Sequence, residues 1–135
     1  MGQSDMEKKT IMVVDDDADV RDAVTELLER HGYAVMPASN GQEALDELKT
    51  SETRPSLILL DVMMPVMDGY AFCQEQQSDP ELKDIPVVVF TAFSAALEKM
   101  ADVQARARLE KPVLAGELLD SIDRWSQESD EKKQN

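Results

Sequence analysis

Two hydrophobic patterns alternate along the chain: short unbroken apolar runs, and longer stretches with apolar residues three and four apart. Ile11-Met12-Val13-Val14, Leu57-Ile58-Leu59-Leu60 and Ile85-Pro86-Val87-Val88-Val89-Phe90 are of the first kind. Runs of this length, bounded by turn residues, predict strands buried on both faces, as in a parallel sheet. Tyr33 to Ala38 predicts a further strand and Ala107-Arg108-Leu109 a weak fifth one. Between them lie the helical patterns. Val20, Ala23, Val24, Leu27 and Leu28 form a stripe opened by Asp17 or Asp19 as N-cap and closed by His31-Gly32. Ser39-Asn40-Gly41-Gln42-Glu43 supplies a turn and a capping box into a helix carrying Ala44, Leu45 and Leu48. Tyr70 to Gln77 predicts a short helix stopped by Asp79-Pro80, and Ser94 to Gln104 a helix with Leu97, Met100 and Val103 on one face. Leu114, Leu118, Ile122 and Trp125 mark the last helix, and Gln127 to Asn135 is a charged tail with nothing to pack.

Strands alternating with helices imply right-handed crossovers and a parallel α/β sheet covered on both faces by five helices. All strands of such a sheet end at one edge, where open α/β sheets bind their ligands. Asp15 and Asp16, Asp61 and Thr91 close apolar runs, and the weak fifth strand leads into Lys111. They are therefore expected to converge there, although the chain spreads them widely.

Composition narrows the partners. The 135 residues, 42% of them hydrophobic, suffice for one domain with its own core. A formal net charge of −14 argues against nucleic-acid backbones and anionic membrane surfaces as partners. The single Cys73 excludes an internal disulfide framework. The polar stretch from Met1 to Thr10 is no signal peptide, and no apolar run approaches the roughly 20 residues that span a bilayer. These features lead to an expected cytoplasmic location. The expected organisation is a flexible segment over 1–9, one domain over 10–126 and the charged tail over 127–135.

The chemistry follows from residue types. Crowded carboxylates repel unless a cation sits among them, and a hard divalent ion with oxygen ligands, best Mg²⁺, meets that need. Asp61, at the end of four aliphatic residues, is the candidate nucleophile toward a phosphoryl group that the metal and Lys111 would neutralise. Thr91 would donate to a phosphoryl oxygen, and the small Ala92 would leave room for the group. Asp68-Gly69 is expected to be a turn with positive φ at Gly69.

Four segments carry a resemblance: Val13-Val14-Asp15-Asp16-Asp17, the stretch Leu59-Leu60-Asp61-Val62-Met63-Met64-Pro65-Val66-Met67-Asp68-Gly69, Val89-Phe90-Thr91-Ala92, and Lys111-Pro112. In order and at strand ends, they are similar to the signature segments of the response-regulator receiver domain of two-component signalling. The similarity runs from about Thr10 to Trp125. It implies a doubly wound, flavodoxin-like sheet of order 2-1-3-4-5. It also implies Asp61 as phosphoacceptor, Asp16 and Asp61 as direct Mg²⁺ ligands, Asp15 acting through water, and the backbone carbonyl of Met63 as a further ligand. Thr91 would be the switch hydroxyl and Lys111 the phosphate-pairing lysine. The resemblance implies a cis Lys111-Pro112 bond and structural parts for Pro65, Gly69 and Pro112. Partners of this kind are a histidine kinase or a histidine phosphotransfer protein, then an unnamed protein target. The protein itself would be a monomer or weak dimer.

Departures from the family pattern are also legible. Arg108 stands where many receivers carry an aromatic residue that moves with the switch hydroxyl, and Gln104-Ala105-Arg106-Ala107 replaces the usual Gly-Ala. Gln76 replaces a large aliphatic residue, which predicts loose packing of the third helix. Met63 and Phe93 occupy the positions thought to set phosphoryl lifetime in the family, and both are apolar, which predicts a long-lived phosphoryl state. With no output domain evident after Trp125, the expected function is a stand-alone switch, not an enzyme beyond its own phosphorylation and dephosphorylation. Phosphorylation would alter the face made by the fourth helix, fifth strand and fifth helix. The alternatives are a constitutive binding module with decayed switching, which Arg108 favours, and an aspartyl-nucleophile phosphatase, for which no cap segment is evident.

Overall fold

A computed structural model describes residues 8–62, 67–92 and 105–134, with side chains described as far as 127. Five parallel strands, β1 (Thr10–Val14), β2 (Ala34–Ala38), β3 (Leu57–Asp61), β4 (Val87–Thr91) and β5 (Ala107–Glu110), form one sheet of order β2-β1-β3-β4-β5. This is the doubly wound fold. Four helices flank it among the described residues: α1 (Ala18–Arg30), α2 (Gly41–Thr50), α3 (Gly69–Ser78) and α4 (Ala115–Gln134). The helix expected over Ser94–Gln104 lies outside the described residues.

The apolar runs sit where their pattern demands. Every residue of β3 and β4 is buried, whereas β5 alternates half-buried and exposed positions, as an edge strand can. Because strand side chains alternate between faces, each run feeds two cores. Met12, Val14, Ile58, Leu60, Val87 and Val89 pack with Ala44, Leu45, Leu48, Phe72 and Cys73 of α2 and α3. Ile11, Val13, Leu57, Leu59, Val88 and Phe90 pack with Val24 and Leu28 of α1 and Leu118 and Ile122 of α4 on the other side. Each wholly buried aliphatic side chain contributes about 1.5–3 kcal/mol over an exposed one, so these two layers hold the strand ends in fixed register.

Local chemistry ends the helices as the sequence suggests. Asp17 Oδ1 accepts from the amides of Asp19 (2.9 Å) and Val20 (3.3 Å), making it the N-cap of α1. At the other end Gly32 takes φ 89°, its amide donates to the Glu29 carbonyl (3.2 Å), and that of Tyr33 donates to Leu28 (3.1 Å). That pair of bonds is a Schellman motif, which uses glycine because a Cβ is disfavoured at positive φ. Asn40 caps α2 by accepting from the Glu43 amide (2.8 Å), and Glu43 reaches back to the Ser39 amide (2.7 Å).

Several expectations are corrected. Gly69 is not a positive-φ glycine; it is the first residue of α3, and its constraint is space. Gln76 does not loosen α3. It is fully buried, and its amide nitrogen donates to the carbonyls of Leu82 (2.7 Å) and Ile85 (3.1 Å). The polar side chain thus braces the turn ahead of β4, an arrangement in which burial costs little because its donors are satisfied. Leu114 does not belong to the buried stripe; it is 72% exposed, just before α4 begins. Separately, the backbone of α4 runs as helix to Gln134, while the side chains past 127 in the expected tail lie outside the described ones.

A candidate acidic site at the C-terminal edge of the sheet

β1, β3 and β4 deliver their last residues to one edge, and the segment after β5 brings Lys111 to meet them. A cleft of about 210 Å³ results, lined by Asp15, Asp16, Asp17, Asp61, Thr91, Ala92 and Lys111. Asp15 and Thr91 are fully buried, Asp61 is nearly so, and Asp16 is exposed. The Lys111 amide donates to the Thr91 carbonyl (2.8 Å), extending the β4–β5 ladder by one bond and fixing where the lysine side chain starts. The Lys111-Pro112 bond is cis.

The site is held together by charge. Lys111 Nζ lies 2.7 Å from Asp15 Oδ2 and 3.6 Å from Asp61 Oδ2, so one ammonium serves two buried carboxylates. Without such a partner each buried carboxylate would be strongly disfavoured. Asp15 Oδ1 accepts from the Asp17 amide (2.9 Å), and Arg21 Nη1 donates to the Asp15 carbonyl oxygen (2.7 Å). Asp15, Asp16 and Asp61 each offer a carboxylate oxygen, and these oxygens lie within 4.8 Å of one another. An all-oxygen, acidic set of this size fits a hard divalent cation such as Mg²⁺, with water completing its shell.

The structure thus brings together Asp15, Asp16, Asp61, Thr91, Ala92 and Lys111, the predicted cluster. Arg108 is exposed on β5. Met63, Pro65 and Phe93 lie outside the described residues. Sequence reasoning missed the Lys111–Asp15 pair, the Arg21 contact, and the aromatic ring of Phe90 with its centroid 4.5 Å from Lys111 Nζ. Arg21, one helical turn beyond the N-cap, was the one legible signal among them. Cys73 takes no part in this chemistry: it is buried in the opposite core, and that burial pushes its thiol up to about 12.

Comparison with known proteins decides the family. The sequence profile of the response regulator receiver domain matches residues 11–123. The chain belongs to that family. Receiver domains serve two-component signalling, bind Mg²⁺ at their acidic site, and interact with histidine kinases or phosphotransfer partners. As a family they are phosphoacceptors rather than enzymes. Among curated relatives, the chain is 40% identical to a probable transcriptional regulator ycf27 of Pyropia yezoensis, over 75% of this chain and 40% of that protein. It is also 40% identical to the response regulator MprA of Mycolicibacterium vanbaalenii, over 81% of this chain and 46% of that protein. The chain therefore spans less than half the length of these relatives. Among solved structures, the signal receiver domain of a signal transduction histidine kinase from Syntrophus aciditrophicus superimposes with a TM-score of 0.81 at 32% identity, covering 88% of this chain and 90% of that one. The response regulator protein TrrA from Thermotoga maritima, in complex with Mg(2+)-BeF, gives 0.77 at 28% identity, covering 87% and 98%. Among the described residues no helix is long and apolar enough to cross a membrane.

Proposed function

We propose that this receiver is an active phosphoryl switch in which Asp61 takes a phosphoryl group from a phosphohistidine donor, on a histidine kinase or a histidine phosphotransfer protein. The observation that carries this reading is the convergence of Asp15, Asp16, Asp61, Thr91 and Lys111 on one cleft, with a single lysine spanning two carboxylates. An oxygen of Asp61 forms the new P–O bond as the P–N bond to the donor imidazole breaks, and the electron pair leaves on that nitrogen. Asp16 and Asp61 would hold an Mg²⁺ ion directly and Asp15 through water, with the Met63 carbonyl as the further ligand that the family resemblance implies; the ion would supply charge neutralisation for the phosphoryl group. Lys111 is already 3.6 Å from Asp61 and pairs with the arriving phosphoryl oxygens. Thr91, buried at the end of β4, donates its hydroxyl to another of them. Ala92 leaves the space for the group.

The added charge alters the face that includes β5 and α4, and a protein target reads the change. Apolar Met63 and Phe93 slow hydrolysis, so the phosphoryl state outlasts minutes in a phosphate-release assay; loss within minutes contradicts this. Exposed Arg108 favours one other reading, a binding module that docks without switching. Intact mass after incubation with acetyl phosphate and Mg²⁺ separates the two. A phosphate-sized gain, abolished by Asp61→Asn or by a chelator, is the expected result. No gain with the fold intact favours the constitutive module.

A further inference from the structure

We propose that Phe90 is a positioning residue for Lys111, its ring holding the ammonium at the mouth of the acidic cleft in reach of Asp61. The inference rests on the phosphoryl reading above. Phe90 is only 2% exposed and directly precedes Thr91 on β4. Its ring packs in the core between the sheet and the helices α1 and α4. It also lines an apolar groove of about 410 Å³ with Val20, Val24, Pro112, Val113 and Leu118. Ala92 and Lys111 border both this groove and the acidic cleft. The ring is thus the apolar wall against which the lysine leaves β5.

Among the described residues, three contacts hold the ammonium: Asp15 at 2.7 Å, Asp61 at 3.6 Å and the Phe90 ring centroid at 4.5 Å. They differ in what happens when a phosphoryl group arrives. Asp15 and Asp61 would be shared between Lys111 and a metal ion held by the carboxylates. The ring does not change charge and competes for nothing, so it is the constant partner. Its quadrupole attracts a cation more strongly where water is excluded, and a side chain with four rotatable bonds gains most from being restrained before it is needed. A leucine in its place keeps an apolar wall and removes the attraction.

The test is a double-mutant cycle of Phe90→Leu and Lys111→Met on the full chain, with beryllofluoride affinity at saturating Mg²⁺ as one readout. The second readout is the proton shift of the Lys111 ε-methylene by NMR. Phe90→Leu is expected to weaken beryllofluoride binding by about 2- to 30-fold, the range of a partly to fully desolvated cation–π contact. Phe90→Tyr should restore it. In the Lys111→Met background, Phe90→Leu should add nothing. The ε-methylene should lie upfield in the parent from the ring current and move to the ordinary lysine position in Phe90→Leu. An equal loss with and without Lys111, or an unshifted ε-methylene in the parent, overturns the proposal, because the ring would then be core alone. A parent that takes no phosphate and binds no beryllofluoride overturns the phosphoryl reading itself, and with it the purpose assigned to the ring.

Discussion

The two returns that carry carboxylates into the cleft both cap their helix with an aspartate, but their described residues differ in what else constrains them. After β1 the chain turns at once into α1, and side chains do the holding: Asp15 accepts from the Asp17 amide, Asp17 caps the helix, and Arg21 reaches back to the Asp15 carbonyl. After β3, among the described residues, Asp68 caps α3 by accepting from the Ala71 amide (2.9 Å), and a close backbone approach at Gly69 adds a second constraint. The Gly69 amide donates to the Val62 carbonyl (2.9 Å), and a Cβ at Gly69 would stand 2.8 Å from Val62 Cα and 2.9 Å from the Asp61 carbonyl oxygen. The same loop touches a second glycine. The Gly41 amide donates to the Met67 carbonyl (3.1 Å), and a Cβ there would meet that oxygen at 2.8 Å. Around Asp15 the described constraints are hydrogen bonds, which can be weakened by degrees. Beside Asp61 the close approach at Gly69 is added to such bonds, and that constraint fails by collision.

Gly69→Ala should have the largest effect on this comparison. Alanine favours helix over glycine by about 0.5–1 kcal/mol, but here the backbone of β3's end must move to admit it. Overpacking of this kind costs about 1–3 kcal/mol, so a net loss in urea unfolding is expected. Phosphate uptake should slow by roughly tenfold or more, since a misplacement of about 1 Å can cost a hundredfold. A stabilised Gly69→Ala chain with normal uptake would break the contrast between the loops.

Asp17→Ala probes the other loop and should be milder. Loss of an N-cap costs about 0.5–2 kcal/mol, and α1 retains its apolar face against the sheet through Val24 and Leu28. Urea denaturation reads the loss, and uptake should fall less than in Gly69→Ala. An effect on uptake larger than that of the glycine change would show that side chains set the site after all.

The smallest effect lies away from both loops and serves as their control. The Tyr33 hydroxyl donates to the Asp123 carboxylate of α4. Burial, then that carboxylate, pushes the hydroxyl from its ordinary 10.0 up to about 12. A raised pKa means the folded state retains the proton, so this contribution is complete below pH 10 and lost between about pH 10 and 12. Stability of the parent should decline across that window more than stability of Tyr33→Phe, with neither phosphate uptake nor Mg²⁺ affinity at neutral pH altered by the substitution. Parallel declines would remove Tyr33 as the titrating group.

What could be read from the sequence was local or periodic. Four buried aliphatic residues ahead of Asp61, the same pattern ahead of Asp15, and stripes such as Val24 and Leu28 place strands, helices and strand ends, because burial follows the two- and 3.6-residue periods of the backbone. Parallel strands then force the carboxylates, Thr91 and Lys111 to one edge. The Asp17 and Asn40 caps were legible for the same reason, since their bonds span only two or three residues. The tertiary structure decided what depends on contact between distant segments. Lys111 chooses Asp15 across 96 positions and rests on Phe90 from the neighbouring strand. Gln76 finds two carbonyls that no helical pattern reveals, and Gly69 is needed for the strand end behind it instead of for its own dihedral angles. A one-dimensional pattern records which face a residue takes; which atom it meets there is set by how the layers pack.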